Sequence, residues 1–357
     1  MNLQTPHSGF QWDGIQYPFF EGWYYRLTLP PNHESDGQTI AFMYSFQAPK
    51  FGVRDDNKKL GGSAVQILCS DEQYFCRSLP NLSRFWACKD KLAHGYSSDG
   101  ANRQISEGYE VTVNSHQGQL WNPASAQIIR WSYVVEPVYG WGMPNYPQQS
   151  TAGWLSQFKV FEPGWQIFMA HGWATGWFEI VDHKGLESTK RLNFEKAPIY
   201  AEKNWGGAFP KKWFWIQCNA FEGELDLTLT SGGGIRRVMG WQESVGMVGI
   251  HYQGKFYEFV PWNSKVSWQV FPWGSWQVRA KTQDFEIELV GKTSELGVMV
   301  RVPTTSGLEF FCRDTTRGDL AVSLWQVNGQ TRQLICRAYS KQAGLEIGGD
   351  WTEVWNH

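Results

Sequence analysis

A chain of 357 residues is longer than one hydrophobic core conveniently serves, which favours two domains or one large β architecture. Its 32 Lys and Arg against 34 Asp and Glu leave a formal charge of −2 with no dense basic run, which argues against nucleic acid as a partner. No stretch of about eighteen uninterrupted apolar residues is present, so no transmembrane helix is expected and any membrane contact is peripheral.

The first residues, MNLQTPHSGFQWDG, have neither the basic start and apolar stretch of a signal peptide nor the Arg/Ser-rich character of a transit peptide, so the chain is expected to begin at Met1 without a leader. Strand-like aromatic runs follow at 22–29 (GWYYRLTL) and 41–46 (AFMYSF), and period-two alternation at 109–114 (YEVTVN). Residues 224–230 (ELDLTLT) alternate most cleanly, with Leu225, Leu227 and Leu229 opposite Glu224, Asp226 and Thr228, and read as a half-buried strand. The next segment, SGGGIR at 231–236, lacks the spacing and the following helix of a phosphate loop and reads as a wide hairpin turn. Gln253-Gly254 marks a tight hairpin, and 284–289 (DFEIEL) alternates again. No segment sustains a helical period, and 21 Trp, 14 Tyr and 22 Phe beside 37 Gly agree with strands and turns.

The plan of aromatic strand, turn and second strand occurs at 22–46 and again at 213–230, which suggests that each half opens on the same antiparallel motif. The expected fold is therefore all-β, with two tandem antiparallel barrels or curved sheets at 1–207 and 208–357 and an apolar aromatic pocket in or between them.

The eight histidines show no metal-ligand spacing, no G-x-S-x-G is present, and the six cysteines form no C-x-x-C pair, so neither a metal nor a local nucleophile motif is expected. What remains is carboxylates among aromatic rings: Glu21 in FFEGWYYR, Glu202 in YAEKNWG, Asp314 in CRDTTRG and Asp350 in GGDW. A carboxyl desolvated by rings keeps its proton to higher pH and can serve as a general acid. The plainer reading is that each accepts hydrogen bonds from Arg26, Lys203, Arg313 or backbone amides. The aromatic excess likewise reads as core packing, as a sugar-stacking platform, or as the wall of a pocket that steadies a cation.

The motifs PHSGFQWDG, FFEGWYYRLTLP, AFMYS, TAGWLS, PGWQIFMAHG, YAEKNWG, CRDTTRG and GLEIGGDW, in that order between about residue 6 and Trp351, resemble the tocopherol cyclase family of photosynthetic organisms. That resemblance implies a cofactor-independent isomerase acting on a prenylated benzoquinol, such as 2-methyl-6-phytyl-1,4-benzoquinol or its dimethyl homologue. A proton adds to the alkene nearest the ring, and the phenolic oxygen closes the chromanol. It also implies a cyanobacterial source and a protein peripherally attached to the thylakoid or a lipid-droplet surface. A more distant similarity to carotenoid hydratases implies lipocalin-like barrels. On chemistry and position, Glu202 or Glu21 is the expected proton donor, with Asp314 in reserve. Lys203 and Asn204 are expected to orient the quinol oxygens, and Trp205, Trp213, Trp215, Trp23 and Tyr24 to wall the cation. The alternative for EKNW is a buried ion-pair latch, and the alternative for the whole chain is a carrier that binds prenylquinols or carotenoids without reacting them.

Overall fold

The computed structural model describes residues 5–31, 37–48, 62–97, 106–157, 163–182, 188–238, 241–271, 273–304 and 307–351, and strands dominate throughout. The first sheet is built from β1 (Phe19–Leu29), β2 (Gln38–Ala48), β3 (Gly62–Cys69), β4 (Tyr74–Leu79), β5 (Phe85–Ala87), β6 (Ala93–Tyr96), β7 (Gly108–Thr112), β8 (Ser115–Asn122), β9 (Gln127–Tyr139), β10 (Gly164–Asp182) and β11 (Ser188–Gly206). The second comprises β12 (Lys212–Cys218), β13 (Thr228–Val238), β14 (Trp241–Tyr252), β15 (Lys255–Phe259), β16 (Lys265–Val270), β17 (Ser275–Lys281), β18 (Phe285–Lys292), β19 (Val298–Thr304), β20 (Gly307–Asn328) and β21 (Thr331–Gly349).

Both sheets are antiparallel and share one device: the first strand pairs with the second and also with the last. Thus β1 lies between β2 and β11, and β12 lies between β13 and β21. Each sheet curls so that its far ends approach. In the first, Ser63 on β3 hydrogen-bonds Tyr109 on β7 at 3.0 Å, and Arg77 on β4 clamps Glu107 with two bonds of 2.7 and 2.6 Å. In the second, Gly246 on β14 sits against Val266 and Trp268 of β16.

Strand alternation gives each sheet an inner and an outer face. Trp23, Tyr25 and Leu27 of β1 enter the core of the first sheet, and Phe214, Ile216 and Cys218 of β12 enter the core of the second. The outer faces of β1, β11, β12 and β21 meet each other, and smaller apolar clusters, including Trp213 with Val300 and Tyr200 with Trp215, fill that seam. Arg26 cross-links the two sheets. Fully buried on β1, it donates to Gln217 Oε1 at 3.0 Å, to the Thr316 carbonyl at 3.1 Å and to the Gln342 carbonyl, so one guanidinium ties three strands of the second sheet to the first.

Two local expectations fail. Residues 224–227 form turns, and β13 begins only at Thr228, because the amides of Glu224 and Leu227 make turn hydrogen bonds to Phe221 and Glu224 instead of a ladder. Residues 231–236 lie inside β13, not in a turn. Gly232 and Gly233 are there because large rings cross the strand: a Cβ on Gly232 would lie 2.7 Å from the Trp165 ring, and one on Gly233 2.6 Å from Phe214. The hairpin at Gln253-Gly254 is found as expected between β14 and β15, both residues having positive φ (50° and 71°).

Candidate active site

The sequence YAEKNW lies on β11, and its alternation sends neighbouring polar residues in opposite directions. Lys203 and Trp205 point into the first sheet, whereas Tyr200, Glu202 and Asn204 face the seam. The triplet therefore does not act as one group.

On the inner side, Lys203 Nζ bonds Glu21 Oε1 at 2.8 Å and the Gly9 carbonyl at 2.7 Å, and the Gln11 amide donates to Glu21 Oε2 at 2.7 Å. Both charged side chains are 0 % exposed. Burial raises Glu21 and lowers Lys203, and the charge and hydrogen bond of each oppose the shift of the other. Lys203 also lies 4.9 Å from the Trp205 ring centroid. This is the latch geometry: it pins the segment around Gly9–Gln11 to the end of the first sheet. Neither Lys203 nor Glu21 borders the large cavity.

That cavity, of about 580 Å³, runs from the seam between the sheets round to the inner face of the first sheet. Tyr24, Glu202, Asn204, Trp213, Trp215 and Glu346 all border it, and Trp23 and Trp205 do so as well. Glu202 is 6 % exposed and takes hydrogen bonds from Tyr200 (2.5 Å), Trp165 (2.9 Å) and Trp215 (3.0 Å) on Oε2, and from Asn204 (3.4 Å) on Oε1. Burial raises its pKa, and the four donors oppose that rise by favouring the carboxylate. Tyr24 packs edge-on against Trp215, ring centroids 5.1 Å apart, and its hydroxyl has no hydrogen-bond partner among the described residues.

Asp314 is placed differently from the expectation: it borders a second, smaller cavity of about 220 Å³ with Asp71, Glu72 and Arg317. Asp350 is on the surface, half exposed and 3.8 Å from Lys211. Glu346 escaped the sequence reading although it stands inside GLEIGGDW. The signal was the same alternation: Gly344, Glu346 and Gly348 share the seam face of β21, and Trp213 lies over Gly348 and donates its indole N–H to Glu346. Trp165 and Tyr200, which hold Glu202, were also missed. Among the described residues no three His, Cys, Asp or Glu side chains are grouped so as to hold a metal ion; His33, His183 and His357 lie outside those residues.

The family model described as tocopherol cyclase-like matches residues 17–349. The rice (Oryza sativa subsp. japonica) protein named "Probable tocopherol cyclase, chloroplastic" is 39 % identical over 388 residues, covering 99 % of this chain and 80 % of the relative. The maize (Zea mays) "Tocopherol cyclase, chloroplastic" is 39 % identical over 389 residues with the same coverage. Among solved structures, kievitone hydratase from Nectria haematococca aligns at 9 % identity over 98 % of this chain and 92 % of its own, with a TM-score of 0.45.

Proposed function

The chain belongs to the tocopherol cyclase-like family, and from that premise we propose that it closes 2-methyl-6-phytyl-1,4-benzoquinol and its dimethyl homologue to chromanols. The reaction is an isomerisation and needs no redox equivalent. A proton adds to the CH carbon of the ring-proximal alkene, the π bond breaks, and cationic character develops on the tertiary carbon. The phenolic oxygen bonds to that carbon as its own proton leaves, so atoms and electrons balance.

The observation that supports this reading most directly is Glu202, a buried carboxylate with four donors on the wall of an aromatic cavity. In that position it takes the phenolic proton as the ring closes, and its charge favours the developing cation. The faces of Trp213, Trp215 and Tyr24 add quadrupole attraction to the same cation. Asn204 orients a quinol oxygen, while Trp23 and Trp205 contain the lipid. Holding the phytyl chain folded, with oxygen at attack distance, supplies the positioning that an unactivated alkene requires. Glu21 and Lys203 act at a distance, by fixing the strand ends that carry Trp23, Glu202 and Trp205. The two halves, 1–207 and 208–357, are taken as two β domains sharing this site, a division supported by the change of sheet between Gly206 and Lys212.

Incubating the purified protein with the phytyl quinol in D2O tests the reaction. The product is a chromanol carrying one deuterium on carbon in the new ring, detected by mass spectrometry and NMR. Recovery of bound but unchanged quinol would instead identify a carrier.

A phytylated substrate resides in a bilayer, so the protein is assigned to a membrane surface, with the thylakoid as its site in a cyanobacterial cell. Trp154, 57 % exposed, and Trp262, 37 % exposed, are the supporting observation, since Trp262 and Leu155 border the cavity itself. Trp154→Glu should leave the melting temperature unchanged and reduce co-flotation with galactolipid vesicles several-fold; undiminished flotation removes this surface from the account.

A further inference from the structure

The cyclase reading needs a proton donor, and the seam holds two carboxyl groups that the Glu202 site leaves unused. Asp314 on β20 and Glu346 on β21 are directly opposite each other in the ladder, so their side chains share a face and stand about 5 Å apart at Cβ. Two carboxylates at that separation do not both ionise readily, and one proton is retained between them.

Their surroundings differ from those of Glu202. Glu202 takes four hydrogen bonds, two of them from indole N–H groups that only donate, so its environment is built for an anion. Glu346 takes one from a side-chain nitrogen, the Trp213 indole on Oε1, and a weaker one from the Cys312 thiol, fewer and weaker donors than Glu202 has. No side chain among the described residues bonds either carboxyl oxygen of Asp314, which is 1 % exposed. The groups facing the pair are Tyr24 and Arg26 from β1, Glu202 from β11, Trp213 from β12 and Cys312 from β20. From β2 and β19 the neighbours are apolar, including Ala41, Met43 and Val300. Among the described residues Arg26 is the cation whose charge bears on Asp314, with Arg317 further out on the wall of the small cavity, and neither Glu346 nor Glu202 has a cation acting on it, too little charge to keep all three carboxyls ionised.

The pair also bridges two spaces. Glu346 borders the large aromatic cavity, whereas Asp314 borders the small polar one, whose wall includes Asp71, itself 44 % exposed. Resting on the cyclase reading, we propose that Glu346 is the proton donor of the reaction and that Asp314 shares and replenishes its proton from the small cavity.

In one turnover the Glu346 O–H bond breaks as the new C–H bond forms, and the phenolic proton passes to Glu202. Return of one proton from Glu202 to solvent, and uptake of one through Asp314, restores the starting state. Burial raises Asp314 against the pull of Arg26, and burial together with the Asp314 charge raises Glu346, so the donor stays protonated well above the ordinary carboxylate range. The rate therefore falls as pH rises through the raised value of the pair.

Two measurements on the full-length protein test this. Infrared titration of the substrate-free protein should show a protonated-carboxyl C=O band that persists to neutral pH, remains in Glu202→Gln, and is lost in the double variant Asp314→Asn, Glu346→Gln; a missing band overturns the shared proton. In turnover assays, Glu346→Gln should lose at least about 100-fold in kcat with quinol binding retained. Asp314→Asn removes the like charge beside Glu346, so it should keep partial activity with the alkaline limb of its pH profile moved to lower pH. Glu346→Gln turning over within threefold of the parent, or Asp314→Asn with an unmoved limb, overturns the donor assignment. A wild-type protein that shows the band yet makes no chromanol sinks the cyclase reading and the donor role with it, while the shared proton stands.

Discussion

Glu202→Gln should lower chromanol formation by about 10²–10⁴-fold, the range by which a positioned acid or base group contributes. The amide has the shape of the carboxyl and its oxygen still accepts from Trp165, Trp215 and Tyr200, so the fold is expected to survive. What disappears is the negative charge beside the reacting carbon and the acceptor for the phenolic proton. The loss should fall on kcat and leave KM nearly unchanged, because these interactions strengthen only as the ring closes. Turnover within threefold of the parent, with an unchanged melting temperature, removes Glu202 from the chemistry.

Lys203→Met should produce the largest loss of stability, about 3–5 kcal/mol, because it strands Glu21 in a site with no exposure. The segment around Gly9 and Gln11 loses its anchor at the same time. Removing both charges, as Glu21→Met with Lys203→Met, should recover most of that loss, since the cost comes from the unpaired charge and not from the absence of the pair. Urea unfolding of the two variants beside the parent decides the matter: a single variant within about 1 kcal/mol of the parent contradicts the latch. The single variant should also be cleaved faster by protease near its N-terminus.

These two results bear on one stretch of six residues, and they show where the sequence was and was not legible. That YAEKNW forms a strand in an all-β chain follows from its aromatic neighbours and from the absence of any helical period. That Glu202 and Lys203 face opposite sides of the sheet follows from alternation alone, a rule applied to ELDLTLT and not to EKNW. The rule misled at ELDLTLT, where turn hydrogen bonds outcompete the ladder until Thr228. SGGGIR was misread because a run of glycines signals a turn unless one knows that Phe214 from the preceding strand and Trp165 from a strand far away in the chain cross it. Glu346 was visible as a residue but not as a site, since its importance depends on Trp213 and Asp314 arriving from other strands. Asp350, just past the end of β21, looked equivalent and is a surface ion-pair partner.

The side chain of Arg26 bears on how such a chain can be rearranged. Three of its hydrogen bonds end on Gln217, Thr316 and Gln342, so the guanidinium belongs sterically to one half and electrostatically to the other. A hybrid joining residues 1–207 of this chain to the second half of a relative would inherit a buried cation whose acceptors must already sit in register, with Asp314 nearby to temper its charge. Exchange of halves is therefore an all-or-none operation here. Hybrids should be soluble only when the incoming half brings matching acceptors, and a library of such crossovers would map the seam without a single point substitution.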